Sequence, residues 1–190
     1  HFYIWLHILV TPHPKENNGH DGTMNSMLVI GHRGAAGLAP ENTVEAIQAG
    51  IDAGADIIEF DIRLTRDNVM VLVHDFHTLR THHKASIISR KTFDELVSMS
   101  KDLFEVTRLE DVLDSYFGVV LLNIELKSRS SGEQLVTLLK RNYIKKVADW
   151  DNVIISSFKV GELLRIRRLA KKANLALLHR DNPFIFVAYH

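Results

Sequence analysis

The chain has 190 residues, enough for one domain with a sizeable core, and Lys plus Arg equals Asp plus Glu at 23 each. A hydrophobic share of 46% and a charged share of 24% exclude disordered and collagen-like classes, and the balanced charge gives no reason to expect nucleic acid as a partner. No cysteine is present, which removes disulfides, thiol catalysis and zinc–thiolate sites; this suits a cytoplasmic protein and is equally compatible with export.

The sequence opens at His1 with "FYIWLHILV", about nine apolar-rich residues where a bilayer span needs roughly 20. It also lacks the basic start and small-residue cleavage site of a signal peptide, so no transmembrane segment is expected. The polar, Pro/Gly/Asn-rich "TPHPKENNGHDGT" then reads as linker. Residues 1–24 are expected to be an extension outside the fold, and residues 25–190 to be the domain. The other reading of the extension is a short strand or a membrane-surface contact.

Residues 28–32 read as a buried strand that stops abruptly at "GHRG". A loop of small residues follows. Asn42 is then expected to cap a helix, with Glu45 at the capping-box position, Val44, Ile47 and Ile51 at helical spacing and Gly54 as the stop. Residues 56–64 form a second strand. "VMVLVHD", 69–75, comes only four residues later, too soon for a parallel crossover, so it is expected to return antiparallel as an arm ending at His74-Asp75. A helix over 109–116 and a strand over 119–127 follow. The helix predicted over 132–147 turns Leu135, Leu138, Leu139 and Ile144 inward. After a strand over 152–158, the helix over 160–173 turns Val160, Leu163, Leu164, Ala170 and Ala173 inward, and a strand over 175–179 closes the series. Such alternation argues for a parallel sheet.

Two strands carry a polar parity. Glu59, Asp61 and Arg63 share one face against Ile58, Phe60 and Ile62; Asn123, Glu125 and Lys127 share one against Ile124 and Leu126. An open sheet covered by helices on both sides would be apolar on both. Polar residues at the C-terminal ends of strands suggest a barrel mouth, with about five barrel strands supplied here.

His32, Glu59, Asp61, His74 and Glu125 converge if those strands are neighbours. Each close carboxylate pair costs about 4 kcal/mol at 4 Å with an effective dielectric near 20, so the cluster persists if it binds a dication or if some members protonate. All-oxygen ligands favour Mg²⁺, Ca²⁺ or Mn²⁺ over zinc. Two histidines beside a hard cation make an acid/base pair, and Arg33 and Lys127 add positive charge, an arrangement that suits a phosphate.

Plainer readings stand beside this one. A lone histidine at a strand end is more often structural. Glu59 and Asp61 could pair with Arg63 or Arg66, and Arg33 and Lys127 could be ordinary ion-pair partners. Asn42 and Thr43 are read as helix caps. Arg165, Arg167, Arg168, Lys171 and Lys172 read as a solvated helix face, and Ser156 and Ser157 line the mouth without a defined role.

The joint pattern is far more specific than its parts. "GHRG" at 31–34, "APENT" at 39–43, "IEFDIRLTRDN" at 58–68, "VLVHD" at 71–75, "TRLEDVLD" at 107–114, "LNIELK" at 122–127 and "ISSF" at 155–158 resemble, in order and spacing, the glycerophosphodiester phosphodiesterase family. The resemblance implies an α/β fold, the TIM (β/α)8 barrel of the phospholipase C-like phosphodiesterases. It implies hydrolysis of small-molecule glycerophosphodiesters to glycerol 3-phosphate and an alcohol. His32 and His74 would be the acid/base pair, Glu59, Asp61 and Glu125 would hold Mg²⁺ or Ca²⁺, with Mn²⁺ a third choice, and Arg33 and Lys127 would contact phosphate. The family's last barrel strands have no counterpart in "RDNPFIFVAYH". A barrel truncated after about five strands, with self-association through open sheet edges, is therefore expected. Two other functions fit the same residues: a lysophospholipase D or sphingomyelinase D-like lipid phosphodiesterase, and an inactive scaffold that binds a metal or a partner.

Overall fold

The structure, a computed structural model, describes residues 28–78, 86–100 and 105–179. The expectations for residues 1–24 lie outside these residues.

Five parallel strands pair in chain order: β1 (Ile30–Gly31), β2 (Ile57–Leu64), β4 (Leu121–Leu126), β5 (Val153–Ser157) and β6 (Asn174–Leu177). A short β3 (Met70–Leu72) returns antiparallel on the end of β2, with Ile62 opposite Leu72 and Leu64 opposite Met70, as the short connection requires. Helices α1 (Val44–Asp52), α2 (Phe93–Ser100), α3 (Leu109–Tyr116), α4 (Ser131–Asn142) and α5 (Val160–Leu169) fill the connections. Consecutive parallel strands joined by helices form an arc of a β/α barrel.

The core lies on the outer, helix-covered face. Ile58, Phe60 and Ile62 of β2, Leu122, Ile124 and Leu126 of β4, and Val153 and Ile155 of β5 pack against Ile47, Leu109, Val112, Leu113, Leu135, Leu139 and Ile166 of the helices. Each fully buried large side chain of this set stabilises the fold by about 1.5–3 kcal/mol. A second cluster, Val71, Val73, Ile88 and Leu96, fastens the β3 arm. The opposite strand parity points inward, where Glu59, Asp61, Asn123, Glu125 and Ser156 are all buried polar residues. The register sets Asp61 beside Glu125, Glu59 beside Asn123 and Glu125 beside Ser156.

Several boundaries differ from expectation. The residue capping α1 is Thr43, whose hydroxyl accepts from the Ala46 N–H at 3.2 Å, and not Asn42. The fourth helix stops at Asn142 because the Asp149 carboxylate accepts the N–H groups of Lys145 and Lys146, at 2.7 and 2.9 Å, and opens a 3₁₀ turn over Val147–Asn152. On α5, Leu163, Ile166 and Ala170 face the core, whereas Val160 and Leu164 are exposed. Among the described residues, no helix is long and apolar enough to cross a membrane.

Candidate active site

β1 ends at Gly31 because the chain must turn sharply toward β2. A Cβ on Gly31 would stand 2.1 Å from the Gly34 carbonyl oxygen, and Gly34 itself has φ +86 with Ala46 backbone 2.7 Å from where its Cβ would be. This tight turn lifts His32 to the mouth, half-exposed, with Nε2 3.8 Å from Glu59 Oε2. It also puts Arg33 at φ 52, which aims its N–H at the same Glu59 oxygen, 2.9 Å away.

Glu59, Asp61 and Glu125 meet under that turn. One carboxylate oxygen from each lies within 4.8 Å of the others. Burial first, and then the Asp61 charge, pushes the Glu59 carboxyl up to about 8. Burial, aided by Asp61 and opposed by Lys127, pushes Glu125 up to about 7. Asp61 goes the other way: burial would raise it, but the Lys127 ammonium, His74 and the Asn42 amide together outweigh burial and hold it low. The all-oxygen donor set and its spacing fit a hard divalent cation.

The two cations expected at the phosphate are paired within this cluster. Lys127 Nζ lies 3.0 Å from Asp61 Oδ1 and also contacts Glu125 Oε1. The Arg33 guanidinium donates to Glu41 at 2.9 Å and stands 3.6 Å from Asp61 Oδ2. Partial burial and the Arg33 charge lower the His32 pKa, and His74 is near enough to add to that effect.

His74 arrives on the β3 arm. Its Nδ1 is 2.8 Å from Asp75 Oδ1, a contact in which the ring nitrogen donates to the carboxylate and Nε2 is left for other work. The structure thus gathers His32, Arg33, Glu59, Asp61, His74, Glu125 and Lys127 at one end of the strands. Asn42, expected as a helix cap, is instead a site residue: it is buried and exchanges two hydrogen bonds with Asp61, its Nδ2 donating to Oδ2 at 3.1 Å and its Oδ1 accepting the Asp61 N–H at 3.0 Å. Arg63, expected on the Glu59–Asp61 face as an ion-pair partner, instead donates from both Nε and Nη2 to the His74 carbonyl. The signal for Asn42 was its neighbour: Thr43 is as good a cap, which frees the asparagine for the carboxylate.

The fold and the site together are an arc of a β/α barrel with a buried acidic cluster and two imidazoles at the C-terminal ends of its strands. A sequence model of the glycerophosphoryl diester phosphodiesterase family matches residues 32–183. The Bacillus subtilis protein YqiK is 35% identical over 167 residues, covering 80% of this chain and 67% of its own length. The glycerophosphodiester phosphodiesterase of Caldanaerobacter subterraneus subsp. tengcongensis is 30% identical over 165 residues, with coverages of 80% and 67%. The crystal structure of a glycerophosphodiester phosphodiesterase from Thermotoga maritima superposes with a TM-score of 0.63 at 29% identity, covering 73% of this chain and 57% of that one. The chain belongs to the glycerophosphoryl diester phosphodiesterase family and spans about two thirds of the length of these curated relatives.

Proposed function

We propose that the chain hydrolyses glycerophosphodiesters, such as glycerophosphocholine or glycerophosphoethanolamine, to glycerol 3-phosphate and an alcohol. The observation that carries this reading is the convergence of the Glu59–Asp61–Glu125 cluster with His32 and His74 at one strand end. Glu59, Asp61 and Glu125 would hold a divalent ion, Mg²⁺ or Ca²⁺. When bound, that ion supplies charge to offset the phosphodiester and its transition state.

The residues divide the remaining work. Partial burial and Arg33 lower the His32 pKa, which favours the neutral form that takes a proton. It accepts the proton of the glycerol hydroxyl as that oxygen attacks phosphorus. His74, as the imidazolium with its Nδ1–H donated to Asp75, gives its Nε2 proton to the departing alcohol oxygen and is left neutral. The resulting cyclic phosphate is opened by water with the two roles exchanged, which leaves glycerol 3-phosphate and restores both imidazoles. Arg33 and Lys127, already on the cluster, face the phosphate with positive charge.

His32→Ala and His74→Ala should each lower turnover of glycerophosphocholine by roughly 10²–10⁴, the usual worth of a positioned acid or base. Near-normal turnover in either variant would remove that histidine from the mechanism.

A second reading takes its support from the rim. Leu38, Phe76 and Phe158, on loops at the same strand ends, are exposed apolar side chains of the kind an acyl chain would contact. A lysophospholipase D-like activity would show as a preference for lysophosphatidylcholine over glycerophosphocholine in direct competition.

A further inference from the structure

The β3 arm brings His74 to the cluster, but the ladder stops short of it. Register pairing between β2 and β3 ends with Ile62 opposite Leu72, and one further backbone bond, from Val73 N–H to the Asp61 carbonyl at 3.0 Å, extends it. At His74 a side chain takes over. Arg63, on the same inward parity of β2 as Glu59 and Asp61, reaches across with two donors to one acceptor: Nε at 3.0 Å and Nη2 at 2.7 Å from the His74 carbonyl oxygen. Asp61, Asp75 and Glu125 are near enough to act on the half-buried guanidinium, yet both of these donors go to a neutral carbonyl, although the fork matches carboxylate and phosphate geometry.

The consequence is directional. One hydrogen bond would fix a distance; two from a rigid planar fork also fix the line along which the peptide lies. With the His74 carbonyl held, and Nδ1 engaged by Asp75 at 2.8 Å, the imidazole keeps one aim, with Nε2 free for the proton it moves. We propose that Arg63 is a positioning residue for His74, clamping its carbonyl oxygen to hold the imidazole on the reacting oxygens. The proposal rests on the phosphodiesterase reading given above, in which His74 moves the proton.

Three variants and two readouts test it. Arg63→Met removes the fork and keeps the aliphatic stem; Arg63→Lys keeps the charge and one donor; Arg63→Gln is a shorter neutral donor that serves if the Met variant does not fold. Misplacement by about 1 Å costs up to 10²-fold, so Arg63→Met should lower kcat by about 10- to 10²-fold with KM nearly unchanged. Arg63→Lys should recover part of the loss. In a His74→Ala background, Arg63→Met should cost nothing further, since the group it aims is gone. A rise in KM with kcat intact would instead make Arg63 a substrate contact. An additive loss in the His74→Ala background would make it a general structural residue. Either result overturns the proposal.

The second readout does not need turnover. Histidine ring nitrogen–proton spectra should show a sharp, hydrogen-bonded His74 Nδ1 proton in the parent chain and a shifted or averaged one in Arg63→Met. An unchanged His74 signal overturns the clamp even if the chain is active. No turnover in the parent chain with any divalent ion would sink the functional reading while the ring spectra still judge the clamp.

Discussion

At the residue scale, Asp61 is the hinge of the site. Its carboxylate meets Asn42, Lys127 and Arg33, while Glu59 and Glu125 beside it are driven toward their neutral forms. Removing the Asn42 amide leaves buried Asp61 atoms without a partner, a loss of about 1–3 kcal/mol. Asn42→Ala should therefore lower the urea midpoint without changing the slope, and an unchanged midpoint would show the bond to be idle. The raised acids make a pH prediction. Glu59 holds its proton up to about 8 in the folded chain, against an ordinary 4.5 once unfolded. The folded state therefore binds more protons across that window, and the metal-free chain loses stability as pH rises from about 4.5 to about 8. A dication held by Glu59 would replace that proton. The rise in Tm on adding Mg²⁺ or Ca²⁺ should be larger at pH 8 than at pH 6; equal shifts at the two values would contradict the assignment of Glu59 as a ligand.

At the element scale, the β1–α1 turn and the β3 arm carry the two imidazoles. Gly34 sits at φ +86 with Ala46 backbone 2.7 Å from its would-be Cβ. Gly34→Ala should cost about 1–3 kcal/mol of strain, and more where the helix must shift, and it should lower activity because His32 rides on the same turn. Denaturant melting and turnover together check this; a variant as stable and active as the parent would show the turn to be pliable. The strands were legible because apolar and polar residues alternate at period two in β2 and β4, and the β3 arm because "TRDN" is too short for anything but a reversal. Helix faces were less legible. Val160 and Leu164 compete with Leu163, Ile166 and Ala170 as apolar stripes on α5, and only packing against β5, β6 and α4 chooses between them. The α2 helix went unread although Thr92 and Glu95 form a reciprocal capping box, Thr92 N–H to Glu95 Oε2 at 2.8 Å and Glu95 N–H to Thr92 Oγ1 at 3.2 Å. The cluster itself was legible from strand parity, which also put Arg63 on its face, but the roles of Asn42 and Arg63 were not. Their partners, Asp61 and the His74 carbonyl, lie on other elements.

At the scale of the whole molecule, the described strands form an arc whose outer members, β1 and β6, each pair on one side only among the described residues. Unpaired strand edges template association. The chain of residues 1–190, expressed as such, should self-associate over roughly a tenfold rise in concentration, read by size-exclusion chromatography with light scattering. A concentration-independent monomer would show those edges to be covered. The arc also sets the central claim, since it alone brings carboxylates from β2 and β4 beside imidazoles from the turn after β1 and the β3 arm. That claim is tested most directly by glycerol 3-phosphate release from glycerophosphocholine, measured after exhaustive chelation and again after adding back Mg²⁺ or Ca²⁺. The account predicts no turnover with chelator, recovery with the ion, and loss of that recovery in Glu59→Gln and Glu125→Gln chains that remain folded. Turnover that persists in excess chelator, or that survives both substitutions, would contradict it.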